Sequence, residues 1–291
     1  MKLSIVTINF NNVKGLRKTL ASVGEQTFRD IEHIIIDGGS TDNSVDVIKE
    51  YVAKVESRES RVKSVVWSSE KDNGVYHAMN KGIKKATGDY IQILNSGDIL
   101  ASNDVTARMV VEVERVNELT NERVPILYGN MLKSYDGKTI INRDTCGNGM
   151  YTPESFLYFY KGTLNHDCAY IRRDLFDKYG LYNEEMKICS DWEWYVRAIV
   201  IGEEKAVYTN IDVTIFDMNG VSESHGKNAE LIKKERREYL EKILPATVLH
   251  DYDAFSFPVL QYQRMKKHHV WGLVHFIERV LFKLEKWRVL R

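Results

Sequence analysis

Four polar residues each stand just after a short apolar or strand-like segment: Asn9, Asp37, Asp72 and Asp98. Any one of them would be ordinary turn or helix-capping sequence. Their repetition indicates a shared binding edge, because ligands of open α/β sheets bind at the carboxyl ends of the strands. We therefore expect these side chains to meet at one edge of a sheet.

Two of these carboxylates suit the parts of a nucleotide. Asp37 could accept a hydrogen bond from a pyrimidine imide or a ribose hydroxyl, and Gly38 and Gly39 would let base or ribose lie against the backbone. Asp98 could hold a divalent cation against two phosphates, since Mg²⁺ and Mn²⁺ prefer oxygen ligands. No GxGxxG opens the first predicted helix and no GxxxxGK[ST] occurs, which disfavours dinucleotide dehydrogenases and P-loop enzymes.

An alternation of strands and helices must position these residues. Residues 3–8 form an unbroken apolar run typical of a buried parallel strand, and Val13, Leu16, Leu20 and Val23 recur at helical spacing. The same alternation predicts strands over 31–36, 62–67 and 89–94, and helices around 45–55 and 78–86. This order predicts an α/β fold with a mostly parallel sheet covered by helices on both faces.

The pattern changes after about residue 102. A helix is predicted over 105–116, followed by a hairpin whose arms, 126–132 and 139–141, flank Asp136-Gly137. We expect residues 1–101 to form a nucleotide-binding half and residues 102–245 a smaller mixed layer of the same domain. Residues 246–291 would form a separate C-terminal tail.

The tail combines basic and aromatic residues. Between Gln261 and Arg291, eight Lys and Arg residues stand against two Glu, interleaved with Trp271, Phe276, Phe282 and Trp287. A basic amphipathic helix of this kind is typical of peripheral contact with an anionic membrane surface. The alternative is a helix pair packed on the domain or on a second subunit.

Composition limits the function classes. Lys+Arg and Asp+Glu both number 41, which argues against a nucleic-acid-binding protein with a basic field over its whole surface. Three cysteines, Cys146, Cys168 and Cys189, lack metal-type spacing and favour a reducing compartment. The first strand breaks at Asn9 before a signal peptide could form, and no apolar run is long enough to span a membrane. We expect a cytoplasmic protein.

Six motifs follow one another along the first hundred residues: SIVT at 4–7 with Asn9 and Asn11, IIDGGSTD at 35–42, EKDNG at 70–74, AMNKG at 78–82, GDYI at 88–91 and NSGD at 95–98. This ordered set resembles the motif series of family 2 glycosyltransferases. The match covers roughly residues 1 to 220. The resemblance implies a GT-A fold, an inverting mechanism and a nucleotide-sugar donor, and it is nearest to bacterial enzymes of capsule and exopolysaccharide assembly.

The resemblance also implies roles for the motif residues. Thr7, Asn9 and Asp37 would line the base and ribose pocket, Asn11 would accompany them, and Asp72 would lie beside the nucleotide. Asn80, on the following helix, is a further nucleotide-sugar candidate. Asn95, Gly97 and Asp98 correspond to the family's DxD-type motif, but an asparagine replaces the first carboxylate. Direct binding of Mn²⁺ or Mg²⁺ would then rest mainly on Asp98.

The second half resembles the family's acceptor side. The motifs HDCAYIRR at 166–173 and SDWEWYVR at 190–197 match that region, and Asp191 falls at the catalytic position, where it would act as general base. His166 could contact the acceptor or the diphosphate, with a buried structural histidine as the alternative. His225, on a loop bounded by Gly220 and Gly226, could close over the donor and add a metal ligand.

These observations favour transfer of a sugar from a nucleotide-sugar, with a UDP-sugar as the preferred donor, to a glycan or a polyprenyl-diphosphate-linked acceptor at the inner face of the membrane. A nucleotidyltransferase is the enzyme alternative, but the segment at 9–13 lacks the Gly-rich, Arg- and Lys-bearing loop of that class. A non-catalytic nucleotide-sugar sensor is the other alternative. It would not need an acceptor-side base such as Asp191.

Overall fold

The computed structural model describes residues 1–144, 153, 155–218, 228–267, 270, 272–277 and 279–281. Within them, nine strands form one sheet in the order β3-β2-β1-β4-β8-β6-β9-β5, and β7 pairs with β6. The strands are β1 Leu3–Asn9, β2 Ile31–Asp37, β3 Ser64–Ser69, β4 Tyr90–Ile93, β5 Ile99–Leu100, β6 Ile126–Ser134, β7 Asn142–Asp144, β8 Ala169–Arg172 and β9 Ala206–Asp217.

Helices cover the sheet. They are α1 Val13–Gly24, α2 Ser44–Glu56, α3 Val75–Lys85, α4 Val105–Thr120, α5 Phe156–Lys161, α6 Asp174–Tyr179, α7 Ser190–Tyr195, α8 Ala229–Ile243 and α9 Ala246–Lys267. A 3₁₀ turn, His166–Cys168, precedes β8, and a π-helical turn, Val196–Ile201, continues α7. The alternation predicted for the first hundred or so residues is present.

The first four strands are parallel neighbours, with β1 between β2 and β4 and β2 between β1 and β3. Both central strands are buried along almost their whole length, as expected of a sheet covered on both faces. Because these strands run in the same direction, their carboxyl ends lie together. That edge carries the residues expected to bind a nucleotide.

The second half adds strands to the same sheet. β8 is antiparallel to both β4 and β6, whereas β6 and β9 are parallel. The predicted hairpin is present, but its second arm starts at Asn142 instead of residue 139. The carboxylate of Asp136 accepts from the amides of Lys138 and Thr139 at 2.8 and 2.7 Å, so these residues form a turn and the strand starts later.

The C-terminal segment is helical where it is described. α9 packs on α5 through Phe156 and Tyr252, whose ring centroids are 4.8 Å apart, and residues 272–277 form a further helical turn. Trp271 and residues 282–291 of the predicted tail, with Phe282 and Trp287, lie outside the described residues. Among the described residues, no helix is both long and apolar enough to cross a bilayer.

Candidate functional site

The sheet register brings three polar residues into one row. Asn9 at the end of β1 pairs with Asp37 at the end of β2, and Asp37 pairs with Ser69 at the end of β3. After β4, the amide of Ser96 donates to the carbonyl of Ile8 at 3.0 Å, so the 95–98 loop continues beside β1. The predicted meeting of strand ends is therefore present.

Asp37 is fully buried and both of its oxygens are engaged. Oδ1 accepts from Asn9 Nδ2 at 2.8 Å and from the Ser40 hydroxyl at 2.5 Å. Oδ2 accepts from the Ser40 amide at 2.9 Å and the Ser69 hydroxyl at 2.6 Å. Burial opposes the charge, but these hydrogen bonds outweigh it and hold the pKa of Asp37 below its usual value. Asp37 therefore orders the ends of β1 to β3.

The neighbouring Asp72 uses only one of its two carboxylate oxygens in hydrogen bonds with the described residues. Its Oδ1 accepts from Lys81 Nζ at 2.8 Å and lies 3.0 Å from His77 Nδ1. Its Oδ2 and the Oδ1 of Asn9 are buried acceptors with no hydrogen-bond partner in the part of the chain that the structure describes. Buried acceptors normally have partners, so this pair indicates a binding pocket for a group with N–H or O–H donors.

Gly38 forms the floor of this pocket. A methyl group there would lie 3.3 Å from the ring of Phe10 and 3.4 Å from Asp72 Oδ2. Phe10 is 65% exposed, and it therefore offers an aromatic face beside the buried acceptors. An aromatic face beside buried acceptors is the kind of surface that suits a flat ring with a donor edge. Phe10 was not among the predicted residues, although its position between Asn9 and Asn11 could have suggested it.

Asn11, Thr7 and Asn80 have contacts within the protein. Asn11 adopts a positive φ of 48° and its side chain accepts from the Thr41 amide at 2.8 Å, which fixes the turn after β2. Thr7 is fully buried and lies 2.9 Å from His33 Nε2. Asn80 is also buried and contacts the 182–184 segment. The structure thus brings Asn11 to the pocket edge, but not Thr7 or Asn80.

The 95–98 loop is held by α1. Gly97 has φ 115°, a conformation that favours glycine, and its amide donates to the Thr19 hydroxyl at 3.0 Å. That hydroxyl donates to the carbonyl of Asp98 at 2.7 Å, and Asn12 Nδ2 donates to the carbonyl of Ser96 at 2.9 Å. The sequence does not reveal these supporting contacts, because the partners are about 80 positions apart.

Asp98 lies at the tip of this loop in an acidic environment. Burial, together with repulsion from Asp167, raises its pKa to about 8. Its Oδ1 accepts from the amide of Asp217 at 2.9 Å. Asp167 and Asp217 were not predicted, although Asp217 ends a strand as the other polar residues do. A carboxylate whose charge is this unfavourable gains from a cation beside it.

The residues fit a divalent cation that is shared with a substrate. Among the described residues, no three His, Cys, Asp or Glu side chains form a ready-made metal cage. Mg²⁺ commonly uses one or two carboxylates together with substrate phosphates and water. Asp98 would hold such an ion, with Mn²⁺ or Mg²⁺ suited to its oxygen ligand.

Asp191, in the first turn of α7, is held on both sides. Its Oδ1 accepts from the Tyr76 hydroxyl at 3.0 Å, and its Oδ2 lies 3.2 Å from His166 Nδ1. Burial opposes its charge, but the contacts with His166 and Tyr76 outweigh this and lower the pKa of Asp191. Its side chain is still 15% exposed. Asp191 is therefore an ionised carboxylate within reach of a small group.

His166 joins the two halves of the site. Its Nε2 lies 3.1 Å from Asn95 Nδ2, while its Nδ1 faces Asp191. Burial alone would lower the pKa of His166, but the carboxylates of Asp191, Asp167 and Asp98 raise it. The asparagine at position 95 thus contacts an imidazole instead of adding a fifth carboxylate to this region. His225 lies outside the described residues.

Residues 4–180 match the model of the family described as Glycosyl transferase family 2. The chain belongs to this family. It is a glycosyltransferase, and family membership favours it over the nucleotidyltransferase and sensor alternatives. As a family 2 member, it is 31% identical over 238 residues to an uncharacterized glycosyltransferase of Mycobacterium tuberculosis, covering 81% of this chain and 82% of the relative.

Another relative is the PGL/p-HBAD biosynthesis glycosyltransferase of Mycobacterium bovis, which is 28% identical over 196 residues, or 67% of this family 2 chain and 68% of the relative. Among solved structures, S. aureus TarS 1-349 in complex with UDP-GlcNAc has a TM-score of 0.57 and 16% identity, covering 74% of this chain and 58% of TarS 1-349. The mannosyltransferase PcManGT from Pyrobaculum calidifontis, in complex with GDP-Man and Mn²⁺, has a TM-score of 0.60 and 15% identity over 99% of this chain and 82% of PcManGT. The family 2 chain therefore has the predicted GT-A fold.

Proposed function

We propose that this glycosyltransferase moves a sugar from a UDP-sugar to a glycan or a polyprenyl-diphosphate-linked acceptor, in one displacement that inverts the anomeric centre. The observation that carries the proposal is the contact series from Asn95 to His166 to Asp191. It leaves an ionised carboxylate and the cation-site loop on opposite sides of one imidazole ring. Such spacing suits a base on one side of a donor sugar and a diphosphate on the other.

In this mechanism Asp191 accepts the proton of the acceptor hydroxyl. The acceptor oxygen bonds to the anomeric carbon as the bond from that carbon to the diphosphate oxygen breaks, and the diphosphate keeps the electron pair. A divalent cation bound by Asp98 would neutralise the charge that develops on the diphosphate. Proton transfer to a positioned base of this kind contributes ~10²–10⁴-fold to rate.

The donor pocket supports a uracil base. The imide N–H of uracil could donate to Asp72 Oδ2 or Asn9 Oδ1, two of the buried acceptors without a partner among the described residues, while the ring stacks near Phe10. TarS is known in complex with UDP and UDP-GlcNAc, which agrees with this choice. Because guanine also carries ring N–H donors and PcManGT was solved with GDP-Man, GDP-sugars are the control donors.

Exposed apolar residues support a lipid-linked acceptor. The end of β6 pairs with the end of β9, so Ser134 lies beside Asp217 near the cation site. The turn that follows exposes Tyr135, Ile140 and Ile141. A relative acts in PGL/p-HBAD biosynthesis. We place the enzyme in bacterial cell-surface polysaccharide or glycolipid assembly.

The C-terminal segment is proposed to contact the inner face of the membrane. Leu273, Phe276 and Ile277 are exposed within the 272–277 turn, and basic residues surround them in the sequence. Apolar insertion and attraction to anionic lipids add together in such segments. Leu273→Asp with Phe276→Asp should abolish binding to vesicles of phosphatidylglycerol and phosphatidylcholine, whereas Val111→Asp on α4, another exposed site, should not. If the Leu273→Asp with Phe276→Asp variant binds the vesicles as well as Val111→Asp does, contact of this segment with the membrane is contradicted.

A two-part experiment tests the transfer reaction. Thermal shifts of the full chain are measured with UDP, GDP and dTDP-sugars in Mn²⁺ and in EDTA, and the donor that stabilises the chain is then incubated with polyprenyl-diphosphate-linked sugars. We expect stabilisation by UDP-sugars that requires Mn²⁺, and a product whose anomeric configuration is opposite to that of the donor by NMR. A retained configuration would rule out the single displacement.

A further inference from the structure

Helix α3 contacts both halves of the site. Towards the nucleotide pocket, Lys81 reaches Glu70 at 2.7 Å and Asp72 at 2.8 Å, and His77 lies 3.0 Å from Asp72. These side chains hold the loop whose Asp72 offers a free oxygen. Helix α3 therefore fixes the position of the loop that carries Glu70 and Asp72 on the donor side.

The other face of α3 carries Tyr76 and Asn80, which are one turn apart and so share a face. The Tyr76 hydroxyl donates to Asp191 at 3.0 Å. Asn80 forms two hydrogen bonds with the backbone of Tyr182, accepting from its amide at 3.0 Å and donating to its carbonyl at 2.9 Å. Two points of α3 thus contact the acceptor-side segment that ends at Asp191.

These contacts are buried and specific. Tyr76 is 6% exposed and Asn80 2%, and the ring of Tyr76 packs on Tyr182 with centroids 5.7 Å apart. A buried tyrosine hydroxyl normally requires a partner, and Asp191 is that partner here. The Asn80 side chain pairs with both the backbone N–H and the backbone C=O of Tyr182, as a neighbouring strand would, and so fixes the backbone at that residue. The acceptor-side segment therefore cannot shift relative to α3 without breaking buried hydrogen bonds.

We propose that Tyr76 is a positioning residue for the Asp191 carboxylate, and that Tyr76 and Asn80 together form a clamp that keeps the base aligned with the donor loop held by α3. This inference rests on the proposed transfer reaction. Tyr76 holds Oδ1 and His166 holds Oδ2, so the carboxylate cannot rotate. Without the Tyr76 hydroxyl, Oδ1 loses its side-chain donor while His166 still holds Oδ2, so the plane of the carboxylate is less firmly fixed.

The test compares Tyr76→Phe with Tyr90→Phe. The Tyr90 hydroxyl is also buried and donates one hydrogen bond, to the carbonyl of Val124 at 2.7 Å, but it lies at the far end of β4. UDP release is measured in Mn²⁺ from the UDP-sugar that stabilises the full chain in the thermal-shift comparison, with a polyprenyl-diphosphate-linked sugar as acceptor. Because misplacement of about 1 Å can cost ~10²-fold in rate, we expect Tyr76→Phe to lower kcat by about 10- to 100-fold. The KM for the donor and the ratio of UDP released to sugar transferred should stay unchanged. Tyr90→Phe should keep the wild-type kcat.

A second comparison separates positioning from general structural damage. If Tyr76 acts through Asp191, Tyr76→Phe should cause no further loss of turnover in an Asp191→Asn background, whereas damage to the fold would multiply the two losses. Wild-type kcat for Tyr76→Phe, or multiplied losses, would overturn the proposal. If the wild-type chain releases no UDP, the transfer reaction itself is contradicted. In that case the free energies of unfolding in urea are compared for Tyr76→Phe, Asp191→Asn and the double variant. Strictly additive losses of stability would show that Tyr76 and Asp191 do not interact and would refute the clamp.

Discussion

The main-chain amide of Asp217 donates a 2.9 Å hydrogen bond to Oδ1 of Asp98. The last residue of β9 therefore supports the carboxylate proposed to bind the cation, across 119 residues of sequence. Residue 217 follows the segment that matches the family. The proposed cation site thus draws on both the matched region and the chain after it.

Asp98→Asn should stabilise the cation-free protein at alkaline pH. The folded pKa of Asp98 is about 8, against a usual value of 3.8, so the folded state binds a proton that the unfolded state releases. The stability from Asp98 is full below about pH 4 and is lost as the pH rises through 8. In EDTA at pH 8, Asp98→Asn should melt a few degrees above the wild type, on the order of 2–4 °C for each kcal/mol regained.

The same variant should lose its response to Mn²⁺. Thermal melts in Mn²⁺ with UDP should show a large shift for the wild type and little or none for Asp98→Asn, because the remaining amide is a poor cation ligand. An equal Mn²⁺ shift in the two proteins would mean that Asp98 does not hold the cation.

Asp191→Asn should abolish most transfer while leaving nucleotide binding intact. The amide keeps the size of the side chain but cannot accept the proton, and loss of a general base costs ~10²–10⁴-fold in rate. Asp191 is outside the pocket formed by Asn9, Gly38 and Asp72, so calorimetric titration with UDP and Mn²⁺ should give the wild-type affinity. Near-normal turnover would exclude Asp191 as the base. Glu193 should not replace it, since it is buried and pairs with Arg197 at 2.9 Å.

Gly82→Ala should destabilise the fold. A Cβ at Gly82 would clash with Cγ1 of Val6 and lie 3.5 Å from Ile36, because α3 packs closely on β1 and β2. Overpacking of this kind costs about 1–3 kcal/mol. Gly272→Ala, where a Cβ would meet no atom of the described residues within 4 Å, is the matched control. Urea unfolding should separate the two, and equal midpoints would contradict the tight packing of α3.

His33 should make the fold sensitive to acid. Burial lowers its pKa to about 3, while in the unfolded chain it titrates near 6.5. The neutral His33 ring makes its full contribution to the free energy of unfolding above about pH 6.5. That contribution falls as the pH drops from 6.5 towards 3, by up to about 1.4 kcal/mol per pH unit. His33→Gln does not titrate, so its free energy of unfolding should fall less between pH 7 and pH 4.5. Parallel pH profiles in urea would show that His33 is not responsible.

Much of the first half could be predicted from periodicity alone. The strand ends carrying Asn9, Asp37 and Asp98 lie at one edge because parallel strands with crossover helices allow no other arrangement. Helix α3 was predicted to start at residue 78 but starts at Val75, since Gly74 adopts a positive φ of 126° and ends the loop earlier.

The direction of individual side chains could not be predicted. Thr7 lies in a strand buried on both faces, and such a strand has no polar alternation to tell which face meets the ligand. Its hydroxyl is beside His33 in the interior. Asn80 contacts Tyr182, 102 positions away, and only the folded chain reveals that partner. The pairing of Tyr76 with Asp191 is hidden in the same way.

The pairing of β6 with β9 limits how the chain can be shortened. β6 lies between β8 and β9, and β9 also pairs with β5. A fragment that stops at residue 180 would retain every family motif up to the end of the matched region but would leave one flank of β6 without its hydrogen-bonding neighbour. Unpaired strands of this kind recruit strands from other molecules and promote self-association. A soluble truncated enzyme therefore has to continue past Asp217.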